Sequence, residues 1–166
     1  PGRDAAEDTY GENVEWFNEA GVDVILFETM GHLDEIDVAL KSVNENKIWL
    51  SLIVNDDDHL LSGHPIESVY ELAKYKVDVL MLNCNTIDKT DQTLEKMINN
   101  WGRDWGVYPN LGLTEPEPDG EMKEKVDDRS FSKIISKYLG MNPMVIGSCC
   151  GSTPKHTEMI YKLVNL

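Results

Sequence analysis

The chain has 166 residues, of which 41% are hydrophobic and 27% are charged, a composition typical of one compact domain with a buried core. Its formal net charge of −15 disfavours binding to nucleic acid or to an anionic membrane, because both would repel an acidic surface. No apolar stretch approaches the roughly 20 residues that span a bilayer. Three cysteines, an odd number, fit a reducing compartment better than a disulfide framework. We therefore expect a cytoplasmic protein without nucleic-acid or membrane partners, whose composition leaves an oligomer possible.

Five short apolar runs, each followed by an amphipathic helical pattern, organise the chain. Apolar residues continue through each run without alternation, as they do in strands that are buried on both faces of a parallel sheet. The predicted strands lie at 21–28, 48–55, 77–85, 105–112 and 143–151. The helical periodicities begin near Tyr10, Leu33, Ile66, Leu94, Phe131 and Met159.

Two prolines mark predicted helix starts. Pro65 and Pro154 each stand where the first helical residue is expected, a position that tolerates proline because its N–H has no helical partner. Thr153 precedes Pro154 and is the predicted N-cap. The stretch 111–128 is the one long irregular segment in this pattern.

Alternating strands and helices imply right-handed parallel crossovers, and hence an open doubly wound sheet or a (β/α)₈ barrel. A dinucleotide fold is disfavoured because no glycine-rich fingerprint follows the first strand. Ligands of parallel α/β folds bind at the carboxyl ends of the strands. Polar residues cluster at those predicted ends: Glu28, Asn55, Asn83, Cys84, Asn110, Cys149 and Cys150.

All three cysteines fall at predicted strand ends, and a barrel would bring them to one mouth. Neighbouring residues of a regular strand point to opposite faces, so Cys149 and Cys150 share an ion only where the strand bends. Gly147 and Gly151 flank the pair and are expected to allow that bend. The positive end of the following helix would favour thiolates. Thiolates select zinc, and three protein ligands leave one of about four positions open.

The charge of such a site indicates its chemistry. A zinc ion with three thiolates carries a net negative charge, which makes it a poor electrophile for polarising a carbonyl. A substrate thiol in the open position would lose its proton near neutral pH and keep an electron-rich sulfur. We therefore expect alkyl transfer to a thiol, and not hydrolysis.

Four segments, ILFETM, VLMLNCN, VYPNLG and VIGSCCGSTPKH, resemble in order and spacing the homocysteine S-methyltransferase family. The resemblance covers almost the whole chain but only the later part of the family's barrel, since an early Asp-Gly-Gly-type segment has no counterpart. It implies a (β/α)₈ TIM barrel of which residues 1–166 supply roughly the last five βα units, as a single domain that lacks the N-terminal strands. Ser148 stands where the family has a second glycine before the cysteine pair.

The resemblance also implies residue roles. Cys84, Cys149 and Cys150 would be the ligands of Zn²⁺, and Glu28 would hold the amino group of homocysteine. Asn83 and Asn110 stand at matching motif positions and would shape the substrate site. The implied reaction moves a methyl group from a small activated donor to the thiol of homocysteine and forms methionine.

Other functions remain open at this stage. The cysteines are also compatible with buried packing as small hydrophobic residues, and Glu28 with a turn cap or a lysine partner. A thiol-redox protein would use Cys149 and Cys150 as a reversible pair, although redox sites more often use Cys-x-x-Cys. A non-catalytic α/β domain with a structural metal or thiol site is the further alternative.

Overall fold

Helices and strands alternate along the chain in a computed structural model that describes residues 2–55, 58–113, 117 and 122–165. The strands are β1 (Val24–Met30), β2 (Lys47–Leu52), β3 (Val77–Asn83), β4 (Trp105–Tyr108) and β5 (Val145–Ile146). The helices are α1 (Arg3–Ala20), α2 (Leu33–Ser42), α3 (Glu67–Ala73), α4 (Ile87–Trp101), α5 (Asp128–Leu139) and α6 (Pro154–Val164). Each of the five predicted strands and six predicted helices has its counterpart among these elements.

The strands form one parallel sheet in the order β1-β2-β3-β4-β5. Strands that are neighbours in sequence are therefore neighbours in space. A doubly wound sheet reverses its strand order at a switch point, whereas a (β/α)₈ barrel keeps the sequence order. The order of the strands thus decides between the two folds that the alternation alone allowed, and the predicted barrel architecture is confirmed.

The last two strands are shorter than predicted. The run at 105–112 contains a strand of four residues, and the run at 143–151 contains a strand of two. Beyond Tyr108 and Ile146 the two segments still run side by side, since the Cys149 N–H donates to the Pro109 carbonyl at 2.8 Å. Cys149 and Cys150 consequently lie in a turn after the strand, outside its regular pleat.

The two proline predictions have different outcomes. Pro154 is the first residue of α6 and Thr153 is its N-cap, as predicted. The prediction for Pro65 is wrong, because α3 begins at Glu67 and Pro65 pairs with His59 in an antiparallel bridge. Within the predicted irregular stretch, residues 114–116 and 118–121 lie outside the described residues.

The core lies between the sheet and the helices. Alternate residues of the strands point into this layer. The buried side chains there include those of Phe27, Leu50, Leu82 and Val107. The opposite face of β1 is open, and Leu26 there is 42% exposed. A smaller cluster joins α5, α6 and the end of β4 through the side chains of Leu111, Phe131, Ile135 and Ile160.

The described helices have one apolar side. In α4, for example, Leu94 and Met97 are buried while Glu95 and Lys96 are exposed. None of the helices in the described part of the chain has the length and apolar content that a membrane crossing needs.

Candidate metal centre

Three thiols meet at the carboxyl edge of the sheet. Cys84 directly follows β3, and Cys149 and Cys150 lie in the turn between β5 and α6. The Sγ of Cys84 lies 3.5 Å from that of Cys150, which lies 3.9 Å from that of Cys149. All three sulfur atoms lie within 4.8 Å of one another. The structure therefore brings together the cysteines that the sequence predicted to converge.

The spacing of the sulfur atoms suits one tetrahedral ion. Zn–S bonds of about 2.3 Å in a tetrahedron separate two sulfurs by roughly 3.8 Å. The two measured distances of 3.5 and 3.9 Å bracket that value. Thiolates are also the ligands that zinc prefers among soft donors. The three cysteines thus fit zinc in both geometry and chemistry, and they leave one position for another ligand.

Unusual backbone geometry places the thiols. Cys84 has φ of 56° and Gly151 has φ of 80°, so the chain bends sharply after β3 and again after the cysteine pair. Gly147 does not share this left-handed geometry. It makes room instead, because a Cβ at Gly147 would lie 3.1 Å from the Cβ of Tyr108. The expected conformational freedom is therefore used at Gly151, whereas Gly147 permits close approach.

Asn110 joins the two cysteine segments through its side chain. Its Nδ2 donates to the Cys84 carbonyl at 2.8 Å, and its Oδ1 accepts from the Cys150 N–H at 3.3 Å. The residue is 2% exposed, so water competes little for these bonds. One buried amide thus fixes the backbone of the cysteine that follows β3 against that of a cysteine after β5.

The end of β4 also holds both segments through its backbone. The Tyr108 carbonyl accepts from the Cys84 N–H at 3.2 Å, and the Pro109 carbonyl accepts from the Cys149 N–H at 2.8 Å. β4 lies between β3 and β5 in the sheet, so its end is the natural bridge between them. These backbone bonds set the separation of the cysteines before any ion binds.

The thiols differ in acidity. A hydrogen bond from Cys84 lowers the pKa of Cys149 to about 6, against the opposing effects of burial and of the Glu28 charge. The same thiol interaction, followed by burial, raises the pKa of Cys84. Burial is the first cause of a raised pKa at Cys150. The pKa of Cys149 is therefore lowered while those of its two neighbours are raised, and the first cause of the lowering is the Cys84 thiol.

A buried polar network lies beside the thiols on the open face of the sheet. Ser51 and Asn83 are both almost fully buried, and the Ser51 hydroxyl donates to Asn83 Oδ1 at 2.7 Å. Asn83 Nδ2 donates to Thr29 Oγ1 at 2.7 Å. The Tyr108 hydroxyl donates to Ser51 Oγ at 2.7 Å. The Asn83 side chain thus links β3 to β1 and β2, and Ser51 extends the network to Tyr108 of β4.

Sequence reasoning did not single out Thr29, Ser51 or Tyr108 as site residues. A signal existed for Ser51, which interrupts the apolar run IWLSLIVN. A hydroxyl inside a strand that is buried on both faces needs a hydrogen-bond partner, and such a partner points to a polar interior.

Glu28 lies at the carboxyl end of β1 and is exposed. Burial raises the pKa of Tyr108, and the nearby carboxylate of Glu28 raises it further by its charge and by hydrogen bonding. Glu28 also acts on the pKa of Cys149, as described above. The structure therefore places Glu28, Asn83, Asn110 and the three cysteines at one edge of the sheet.

Fold and site together define a class. The chain is an α/β protein of sequentially ordered parallel strands, part of a (β/α)₈ barrel, with three convergent thiols at the edge where barrels carry their active sites. A family model described as homocysteine S-methyltransferase matches residues 1–164. The chain belongs to the homocysteine S-methyltransferase family, as the sequence motifs predicted.

Individual relatives agree with this assignment. Homocysteine S-methyltransferase 2 of Zea mays is 25% identical over 170 residues, which cover 96% of this chain and 49% of the relative. A selenocysteine methyltransferase of Astragalus bisulcatus is 23% identical over 167 residues, again 96% of this chain and 49% of the relative. The chain thus spans about half the length of the curated relatives it matches.

Solved structures show the same fold. The apo form of the homocysteine methyltransferase MmuM from Escherichia coli matches with a TM-score of 0.79 and 22% identity, over 98% of this chain and 57% of that one. Its metallated form gives the same TM-score and identity over 98% of this chain and 52% of that one. Both matches support the barrel architecture.

Proposed function

We propose that this chain carries the thiol-activating site of a zinc-dependent methyltransferase, which moves a methyl group from an activated donor to homocysteine and forms methionine. The convergence of three thiols at the strand ends, in a chain of this family, carries the proposal. Because the chain spans about half of its matched relatives, the complete activity is proposed for the protein to which it contributes.

Cys84, Cys149 and Cys150 would hold the ion. Zinc bound by these thiolates would lower the pKa of a substrate thiol and keep its sulfur nucleophilic at neutral pH. Asn110 would keep the cysteines in register through its bonds to the Cys84 carbonyl and the Cys150 N–H. Such outer contacts commonly tune metal affinity.

The substrate would bind across the open face of the sheet. The Glu28 carboxylate would accept hydrogen bonds from the ammonium group of homocysteine, which orients its thiol toward the cysteines. Asn83 would shape the floor through its bonds to Ser51 and Thr29. In the transfer, the sulfur forms a bond to the methyl carbon as the bond between donor and methyl breaks, and the thiol proton passes to solvent.

The partners that fit this site are small molecules. An onium compound is a suitable donor, because loss of its methyl group removes a positive charge from the leaving group. A chain with a net charge of −15 offers nucleic acid no general electrostatic attraction. Three free cysteines agree with a reducing, cytoplasmic setting.

Metal content tests the proposal directly. We expect about one zinc per chain in the purified protein. Cys84→Ser should weaken zinc affinity by at least about 100-fold in chelator competition, because removing a ligand exceeds the roughly 10–100-fold effect of outer contacts. Ser132→Ala, at an exposed hydroxyl of α5, serves as the matched control and should leave zinc binding unchanged. Stoichiometric zinc that is insensitive to Cys84→Ser would contradict the three-cysteine site.

An assay of the full-length protein tests the reaction. Homocysteine and selenocysteine are offered as acceptors with several methyl donors, since one relative is named a selenocysteine methyltransferase. We expect methionine from homocysteine and its loss after zinc removal. A zinc-loaded, full-length protein that methylates neither acceptor would overturn the proposed activity.

Thiol-redox chemistry is the alternative function, and a titration of the free thiols distinguishes it from metal binding. The Sγ atoms of Cys149 and Cys150 lie 3.9 Å apart, far beyond a disulfide bond of about 2.05 Å. We therefore expect all three thiols to titrate in the metal-free protein before and after reductant. Recovery of two thiols only after reduction would favour the redox function.

A further inference from the structure

The direction of the Cys84 thiol depends on a break in the alternation of β3. Successive side chains of a regular strand point to opposite faces of the sheet. Asn83, the last residue of β3, points to the open face, so a Cys84 that continued the strand would point to the opposite face. Cys84 instead has φ of 56°, and its Sγ lies 3.5 Å from that of Cys150. The left-handed conformation therefore brings this thiol into the cluster.

This backbone conformation is unfavourable for cysteine. A residue with a Cβ rarely adopts a positive φ, because the Cβ then crowds the following carbonyl oxygen. Residues in such conformations persist where their surroundings hold them, and they concentrate at functional sites. The neighbours of Cys84 must therefore hold its backbone in place.

Asn85 follows Cys84 and binds the end of β2 through its side chain. The residue is 2% exposed. Its Oδ1 accepts from the Val54 N–H at 2.9 Å, and its Nδ2 donates to the Leu52 carbonyl at 3.2 Å and to the Asn83 carbonyl at 3.0 Å. One N–H and two carbonyl partners determine the orientation of the amide, and they use its acceptor and its donor nitrogen fully.

These hydrogen bonds fix the chain on both sides of Cys84. The bond from Asn85 Nδ2 to the Asn83 carbonyl spans Cys84, and the other two side-chain bonds attach the same amide to β2. The Asn85 carbonyl accepts from the Asn110 N–H at 2.9 Å, beyond the end of β4. Asn85 is thus attached to the ends of three strands, and Cys84 lies between its contacts.

We propose that Asn85 is a positioning residue of the metal site, whose side chain keeps Cys84 in the left-handed conformation that directs its thiol toward the ion. This inference rests on the proposed function, because it concerns zinc affinity. Asn110 and the end of β4 set the separation of the cysteine segments, whereas Asn85 sets the direction of one ligand. Loss of the Asn85 amide then weakens zinc binding although every ligand atom is retained.

Chelator competition with the full-length protein measures this effect. Asn85→Ala removes the three side-chain bonds and leaves the three thiols. We expect it to raise the Kd for zinc about 10–100-fold, the range observed for contacts that orient metal ligands. Circular dichroism establishes that the variant folds. Where Asn85→Ala does not fold, Asn85→Ser, which keeps a hydroxyl in place of the amide, supplies the same comparison.

Asn46→Ala is the matched control. The Asn46 side chain also donates from Nδ2 to a backbone carbonyl, that of Val22 at 2.8 Å, but it lies before β2 at the amino edge of the sheet. Its substitution should leave the Kd for zinc within about twofold. Urea unfolding of the metal-free variants measures any loss of stability separately from the loss of zinc affinity.

A double-mutant cycle with Cys84→Ser separates positioning from a general structural effect. If Asn85 acts through Cys84, then Asn85→Ala should change the Kd for zinc by less than about twofold in the Cys84→Ser background. A residue that only stabilises the fold would weaken zinc binding equally in both backgrounds. Chelators of graded affinity keep the weaker sites measurable.

An Asn85→Ala variant with the zinc affinity of the wild type would overturn the inference. An equal loss of affinity in the two backgrounds would also overturn it and make Asn85 a structural residue. Both results would leave the proposed thiol site standing. A wild-type protein that binds no zinc would instead overturn the proposed function, and the inference with it.

Discussion

Acidity and exposure rank the three thiols differently. Cys150 is the most exposed, whereas the hydrogen bond from Cys84 lowers the pKa of Cys149 to about 6. Because the thiolate is the nucleophile, we expect iodoacetamide to alkylate Cys149 first in the reduced, metal-free protein at pH 7. Cys84, whose pKa is raised, should react last. Peptide mapping by mass spectrometry identifies the labelled residue.

The lowered pKa of Cys149 also predicts how its rate of labelling changes with pH. A lowered pKa means that Cys149 loses its proton early as pH rises, so its labelling rate should climb through about pH 6 and level off by about pH 8. In urea-unfolded protein the three cysteines should react alike, with the ordinary pKa of about 8.5. Preferential labelling of Cys150 across this range would show that exposure, and not acidity, governs reactivity.

Individual residues show where sequence reasoning succeeds and where it stops. Cys149 and Cys150 could be predicted to meet Cys84, because parallel strands deliver their carboxyl ends to one edge. The hydrogen bonds of Ser51 to Asn83 and Tyr108 could not, because they depend on the register between strands. Register is a property of the assembled sheet that no single segment encodes.

At the scale of elements, β4 packs closely against its neighbours β3 and β5 at Gly106. A Cβ on Gly106 would lie 2.7 Å from the Cβ of Val145 and 2.8 Å from the Cγ of Met81. We expect Gly106→Ala to lower the free energy of unfolding by about 1–3 kcal/mol, because the added methyl group overpacks the space between β3 and β5. Urea unfolding followed by tryptophan fluorescence measures the change.

Gly11→Ala is the control variant, and we expect it to change the free energy of unfolding in the opposite direction. Gly11 lies within α1, and a Cβ there would have no neighbour within 4 Å. Gly11→Ala should therefore raise the free energy of unfolding by up to about 1 kcal/mol, through helix propensity alone. A Gly106→Ala variant as stable as the wild type would show that β4 and β5 move apart without penalty.

The lengths of the elements were less predictable than their order. The apolar runs continue past Tyr108 and Ile146, so hydrophobicity extends the predicted strands into turns. An apolar residue beyond the end of β4 packs against a helix and not within the sheet, since Leu111 contacts the cluster of Phe131 and Ile135 of α5. Apolar character reports burial, and it does not distinguish a strand from a buried turn.

At the scale of the whole molecule, β1 has one strand partner, β2, among the strands that the structure describes. Its free edge and α1 form a groove with the apolar side chains of Phe17 and Leu26, which are 44% and 42% exposed. Unpaired strand edges beside apolar surface favour association. We expect the 166-residue chain to self-associate reversibly in sedimentation velocity. Added salt should strengthen this association by screening the charge of −15.

Leu26→Lys should suppress the association, because a lysine on the edge opposes strand pairing. Tyr75→Lys replaces an 88% exposed side chain beyond α3 and is the control for the added charge. An equal effect of the two variants would mean that charge, and not the edge of β1, controls association.

The overall architecture followed from the sequence because each βα unit repeats the same local pattern. Barrel and doubly wound sheet share that pattern, so the predicted choice between them rested on the polar residues at the strand ends and on the family resemblance. The observed strand order decides it independently.

The hydrogen bonds from the end of β4 to both cysteine segments mean that three strands must come together before the thiols meet. Cys84 and Cys149 are held by the adjacent carbonyls of Tyr108 and Pro109, so neither thiol is in place until β4 has inserted between β3 and β5. Contacts this distant along the chain form late, because each closes a long loop. We therefore expect the thiol cluster to form late in folding, once β3, β4 and β5 have docked against one another.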